Sequence, residues 1–141
     1  PTLLTDVIDK KRSDADMAHG YFYLANYYDG ASNNEEAMKY YDLSLSRNNK
    51  YLLALNNRGI IKGKSGNIRS AISDFEQAIQ IKPDYAEAYY NRGVALYQTG
   101  DKTAACNDWE RAVSLGFKPA SQAISLYCHE VKAPDFGKIG E

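Results

Sequence analysis

The residues of this chain that could do chemistry are few: two histidines, two cysteines, two arginine–aspartate couples and a group of asparagines. His19 and His129 stand near opposite ends, and no cysteine, histidine or carboxylate joins either at metal-ligand spacing. Both read as ordinary surface or half-buried side chains, and neither a metal nor another cofactor is expected. No nucleophile–base pair, phosphate loop or nucleophile elbow is present. Gly59, Gly66, Gly93 and Gly100 follow no strand, which removes a dinucleotide fingerprint. The chain therefore reads as a protein without catalytic function. Cys106 and Cys128 both fall among apolar neighbours, and free cysteines commonly act as small hydrophobes. That is the expectation here, although a disulfide forms if the segments carrying them pack together. Arg58 precedes Asp74 by the same interval that separates Arg92 from Asp108. Where an earlier segment has Leu24 it also has Tyr40, so both charges are present or both are missing. Such coupling points to ion pairs between neighbouring elements rather than to an anion site, because a half-buried charge needs a partner.

The elements that position these residues recur every 34 residues. Leu52–Tyr85 and Ala86–Pro119 align column by column: Asn57-Arg58-Gly59 with Asn91-Arg92-Gly93, Ala71 with Ala105, Asp74-Phe75 with Asp108-Trp109. Ala18–Tyr51 is a weaker copy, with Ala25, Ala37 and Tyr41 in the matching small and aromatic columns. A period of this length means stacked supersecondary units that bury their apolar faces only against one another. Within each unit a first apolar stretch recurs at helical spacing, as in Tyr21, Leu24, Ala25 and Tyr28. Turn signals follow at Asp29-Gly30, Ser65-Gly66 and Thr99-Gly100. Asn33, Asn67 and Asp101 share one column as N-caps of a second helix. That helix ends at Asn48-Asn49, Pro83 or Gly116. Small residues in the alanine and glycine columns let the two helices of a hairpin approach closely.

The ends read as covers. Leu3, Leu4, Val7 and Ile8 suit a short amphipathic helix closed by the polar run 10–16. Ala120, Ala123, Ile124, Tyr127, Cys128 and Val131 suit a helix that covers the last hairpin. The expected organisation is an N-terminal helix and linker over 1–17, repeats over 18–51, 52–85 and 86–119, a capping helix over 120–132 and a tail over 133–141.

The columns resemble the tetratricopeptide repeat, carried by Leu55, Gly59, Ala71, Phe75, Ala78 and Pro83 in the second unit. The third carries it in Tyr89, Gly93, Leu96, Ala105, Trp109 and Ala112, the first in Tyr21, Ala25, Tyr28, Ala37 and Tyr41. Arg58, Arg92 and Lys62 depart from the usual pattern. The resemblance, in its Asn-Arg-Gly columns closest to bacterial members, implies an all-α, right-handed superhelical stack of three helix–turn–helix repeats. It also implies a concave groove lined by the first helices, holding an extended peptide or a partner's helix. The lining columns carried over here are Phe22, Tyr23, Asn26, Asn56, Asn57, Ile60, Tyr90, Asn91, Val94 and Tyr97. Asparagine can donate to and accept from a peptide main chain, and tyrosine offers contact area at small entropic cost. Asn57 and Asn91 fall outside the packing columns, so their loss is expected to leave the fold intact. Chaperone-binding relatives grip a terminal carboxylate with two asparagines, two lysines and an arginine. This chain has Asn26 and Asn57 but Phe22, Glu87 and Asn91 in the charged columns, so that use is not expected.

Composition agrees with one stacked domain. The 44% apolar share suffices for a single core in 141 residues. No run of about 18 apolar residues suits a membrane span, and a net charge of −1 gives no reason to expect nucleic acid. No signal-peptide pattern is seen; a soluble protein of the cytoplasm, or of the periplasm if a signal was removed, is expected. The leading functional expectation is an adaptor that binds a protein or peptide in the groove. The alternative is a scaffold that assembles with copies of itself through the groove or the stack ends.

Overall fold

The structure, a computed structural model, describes residues 13–129. Among them the helices are α1 (Asp14–Gly30), α2 (Asn34–Arg47), α3 (Leu52–Lys64), α4 (Ile68–Ile81), α5 (Ala86–Thr99), α6 (Lys102–Ser114) and α7 (Pro119–Tyr127). The expected N-terminal helix at Leu3–Ile8, Val131 of the capping helix and the tail lie outside the described residues. α1 packs on α2, α3 on α4 and α5 on α6, giving three hairpins, and α7 closes the end against α6. First helices also touch, α3 against α5, so they form the inner layer of the stack.

Small-residue columns set the spacing of each hairpin. Ala25, Gly59 and Gly93 on the first helices face Tyr41, Phe75 and Trp109 on the second, and all six are buried. A methyl group built on Gly59 would stand 2.6 Å from the Phe75 ring, and one on Gly93 2.6 Å from Trp109 Nε1. No real side chain tolerates such contacts, so the large ring is bought with the missing methyl. Trp109 Nε1 then donates to the Tyr90 carbonyl at 3.2 Å. In the first unit Ser44 Oγ donates to the Ala18 carbonyl at 2.7 Å, joining α1 to α2 where the later units have alanine.

Local signals hold with three corrections. Asn33 accepts from the Glu36 amide and Asp101 from the Ala104 amide, whereas Asn67 makes no side-chain cap. In the first turn Gly30 remains helical and Ser32 takes the left-handed backbone, with φ 57°, in the column of Gly66 and Gly100. The polar run 10–16 does not end in a linker, since Asp14 and Asp16 open α1 behind Ser13. The Ser13 side chain caps the Asp16 amide, and carboxylates suit the positive end of a helix.

The cysteines correct the expectation of free thiols. Cys106 and Cys128 are joined as a disulfide, their Cα atoms 5.9 Å apart. The chain turns at Gly116 and brings α7 back onto α6, which places the two side chains together.

Candidate functional site

The two arginine–aspartate couples meet across their hairpins. Arg58 Nε and Nη2 donate to Asp74 at 2.9 and 2.8 Å, and Arg92 repeats the fork on Asp108 at 2.7 and 2.8 Å. Asp74 and Asp108 are buried. Arg58 reaches back to Asp42 of the preceding unit at 3.0 Å, and Lys62 Nζ lies 3.0 Å from Asp74. Burial pulls the Arg58 pKa down, but the hydrogen bonds and charges of Asp74 and then Asp42 outweigh it and raise the value. The hydrogen bonding of Arg92 to Asp108 is the largest influence on Arg92 and holds its pKa up against burial. These charges face one another and are spent on the stack. The Asp42 contact was legible as the same interval read backward; Lys62 was visible only as a charge in an aromatic column.

The inner layer gathers most of the expected groove residues. Tyr23 is 62% exposed, and Tyr27 beside it is more so. Asn26, Asn57, Ile60, Tyr90, Asn91, Val94 and Tyr97 are half-buried. Phe22 and Asn56 turn inward, 7% and 3% exposed. Phe22 packs against Tyr41 and Tyr51, and Asn56 Oδ1 accepts from Asn91 Nδ2 at 2.8 Å. Asn91 thus satisfies a buried acceptor, which corrects the expectation that its loss leaves the fold untouched. Asn26 Oδ1 accepts from both Tyr41 Oη at 2.6 Å and Asn57 Nδ2 at 3.2 Å. Side-chain amides therefore link α1 to α3 and α3 to α5. Burial is the main reason the Tyr41 hydroxyl is pushed up to about 12, and it also raises Tyr51. Tyr51 Oη lies 2.8 Å from His19 Nδ1, so His19 closes one end of this face.

Two cavities open on the layer. One of about 150 Å³ is lined by Gly59, Ile60, Gly63, Phe75, Val94 and Ala95, with Lys64, Asn91 and Gln98 at its rim. The other, about 420 Å³, lies between Tyr90, Val94, Tyr97, Trp109, Ala123 and Tyr127, and shares Val94 and Gln98 with the first. Tyr97 and Tyr127, missed as a pair because they lie on different elements, approach with ring centroids 4.8 Å apart. Among the described residues no group of three or more His, Cys, Asp or Glu side chains could hold a metal. No helix among them is long and apolar enough to cross a membrane.

Comparison with known proteins agrees with this geometry. Residues 64–100 match the model described as TPR repeat, and residues 86–116 that described as tetratricopeptide repeat. No curated protein matches the chain by sequence. Among solved structures, the first TPR of Spaghetti (RPAP3), bound to the HSP90 peptide SRMEEVD, is similar with a TM-score of 0.71. It is 22% identical, covering 82% of this chain and 98% of that one. The Arabidopsis OM64 TPR domain gives 0.74 at 18% identity, covering 81% and 98%. The N-terminal domain of stress-induced protein-1 from C. elegans gives 0.72 at 17%, covering 83% and 98%.

Proposed function

Because the chain is a tetratricopeptide-repeat protein, we propose that it is a non-enzymatic adaptor whose inner layer binds an extended segment of a partner protein. The observation that carries this reading is the run of exposed tyrosine, half-buried amides and two adjoining cavities along the first helices. Peptide main chain needs donors and acceptors at short intervals, and side-chain amides supply both. The arginine–aspartate clusters are neutralised within the stack, so they offer no charge to a bound segment. The RPAP3 repeat that resembles this chain holds an HSP90 peptide. Here the columns of the carboxylate clamp hold buried Phe22, exposed Glu87 and Asn91, which supply no positive charge to a terminal carboxylate.

The test begins with peptides selected from a random library on the immobilised full chain, their affinities measured by calorimetry. Tyr23→Ala with Asn57→Ala is the informative double change. Tyr23 is exposed, and Asn26 keeps its bond from Tyr41 without Asn57. Affinity should fall roughly tenfold to a hundredfold while helicity is unchanged. Unchanged affinity, with amide shifts on the outward sides of α2, α4 and α6, would place the site elsewhere.

A further inference from the structure

The cavity beside Gly63 differs from the rest of the inner layer in having no evident packing cause. A methyl group built on Gly63 would meet nothing nearer than Ala71 Cβ at 3.9 Å, unlike the one on Gly59. Gly63 is the last residue but one of α3 and lacks the left-handed backbone that favours glycine, and glycine is a weaker helix former than alanine. Neither helix packing nor the turn therefore asks for it. The repeat shows what its absence leaves open. One period later the same column holds Tyr97, whose ring lies tilted against that of Trp109, the centroids 5.8 Å apart. Trp109 is the counterpart of Phe75, and Phe75 lies in the wall of the Gly63 cavity with no such ring against it among the described residues.

We infer that this cavity is an anchor site for an aromatic side chain of the partner, which covers Phe75 as Tyr97 covers Trp109. The inference rests on the groove reading and names what the groove selects. A volume of about 150 Å³ suits one ring, since an apolar cavity of about that size accepts benzene. Ile60, Val94 and Ala95 supply apolar walls. At the rim Asn91 donates its Nδ2 to Asn56, while its Oδ1 accepts from no group among the described residues. That oxygen faces the task of accepting a peptide N–H. Lys64, also at the rim, makes no ion pair among the described residues, and no carboxylate lines the cavity. Charge complementarity selects a partner with an acidic residue next to the ring.

The probe is a capped tetrapeptide, Gly-Phe-Glu-Gly, followed by amide resonances of the full chain, with the alanine-for-phenylalanine peptide as control. Saturable shifts at Gly59, Gly63, Val94 and Ala95 are expected, with binding roughly tenfold or more weaker for the control. Gly63→Leu fills the cavity and should abolish those shifts, while Gly63→Ala should melt no lower than the wild type. A binding role predicts that pairing; a packing role predicts a lower melting point in both variants. Lys64→Gln should weaken binding about twofold to fivefold at low salt and little at high salt. If Gly63→Leu binds the tetrapeptide as the wild type does, or if no saturable shift occurs at the cavity, the anchor is overturned. The groove reading would then stand or fall separately, on the library peptides and the Tyr23–Asn57 variant.

Discussion

At the scale of single residues, the arginine–aspartate forks decide how much charge the stack can bury. Asp108→Ala leaves the Arg92 guanidinium half-buried without its carboxylate, and urea unfolding followed by helicity should show a loss of roughly 2–3 kcal/mol. Asp74→Ala should cost more than that, because Asp74 also pairs with Lys62 and holds Arg58 between two units. A loss below about 0.5 kcal/mol for either would mean the arginines are solvated in solution. These pairs were readable in the sequence because each charge recurs with its partner at a fixed interval. The amide link from Asn91 to Asn56 was not. It joins residues in different columns of different units, so no within-unit pattern reveals it.

At the scale of elements, hairpins, turns and core columns were legible because one period repeats three times with the same small and aromatic residues. What escaped was local competition. Gly30 invited the turn at the end of α1, yet the column shared with Gly66 and Gly100 belongs to Ser32, which carries the left-handed strain. Ser32→Gly should therefore raise stability by about 0.5–1 kcal/mol in urea unfolding, the relief exceeding the added freedom of the unfolded chain. The cap helix poses a different case. α7 has nine residues, too few to be stable alone in water. Its apolar contacts, with Ala120 and Ala123 buried, share the work with the disulfide. The cysteine pair could not be assigned from spacing, since only the return of α7 onto α6 brings the two together. Reduction, or Cys128→Ser, should cost about 3 kcal/mol for a loop of this length. Hydrogen exchange should quicken first in α7.

At the scale of the whole molecule, units that lean only on their neighbours share stability along the stack, so a change at a junction is felt across it. One buried and one half-buried tyrosine make this measurable with pH. Tyr41 sits in the core of the first hairpin and Tyr85 at the entry to α5, where the second unit meets the third. Burial is the main cause that lifts both hydroxyls from 10.0 to about 12, with nearby Glu87 adding to Tyr85. The folded values lie above the unfolded one, so the folded state holds its protons where the unfolded chain releases them. Their contribution is complete below pH 10 and is lost as pH rises toward 12. Urea unfolding between pH 9 and 11.5 should thus show stability falling by roughly 1 kcal/mol or more per pH unit above pH 10. Tyr85→Phe isolates one proton: its hydroxyl is buried without a hydrogen-bond partner among the described residues, so removing it should cost little at neutral pH. The alkaline slope should shrink in that variant while the rest of the profile stays. An identical slope would mean that Tyr85 is open to solvent at the junction, and that the second and third units part more readily than their packing implies.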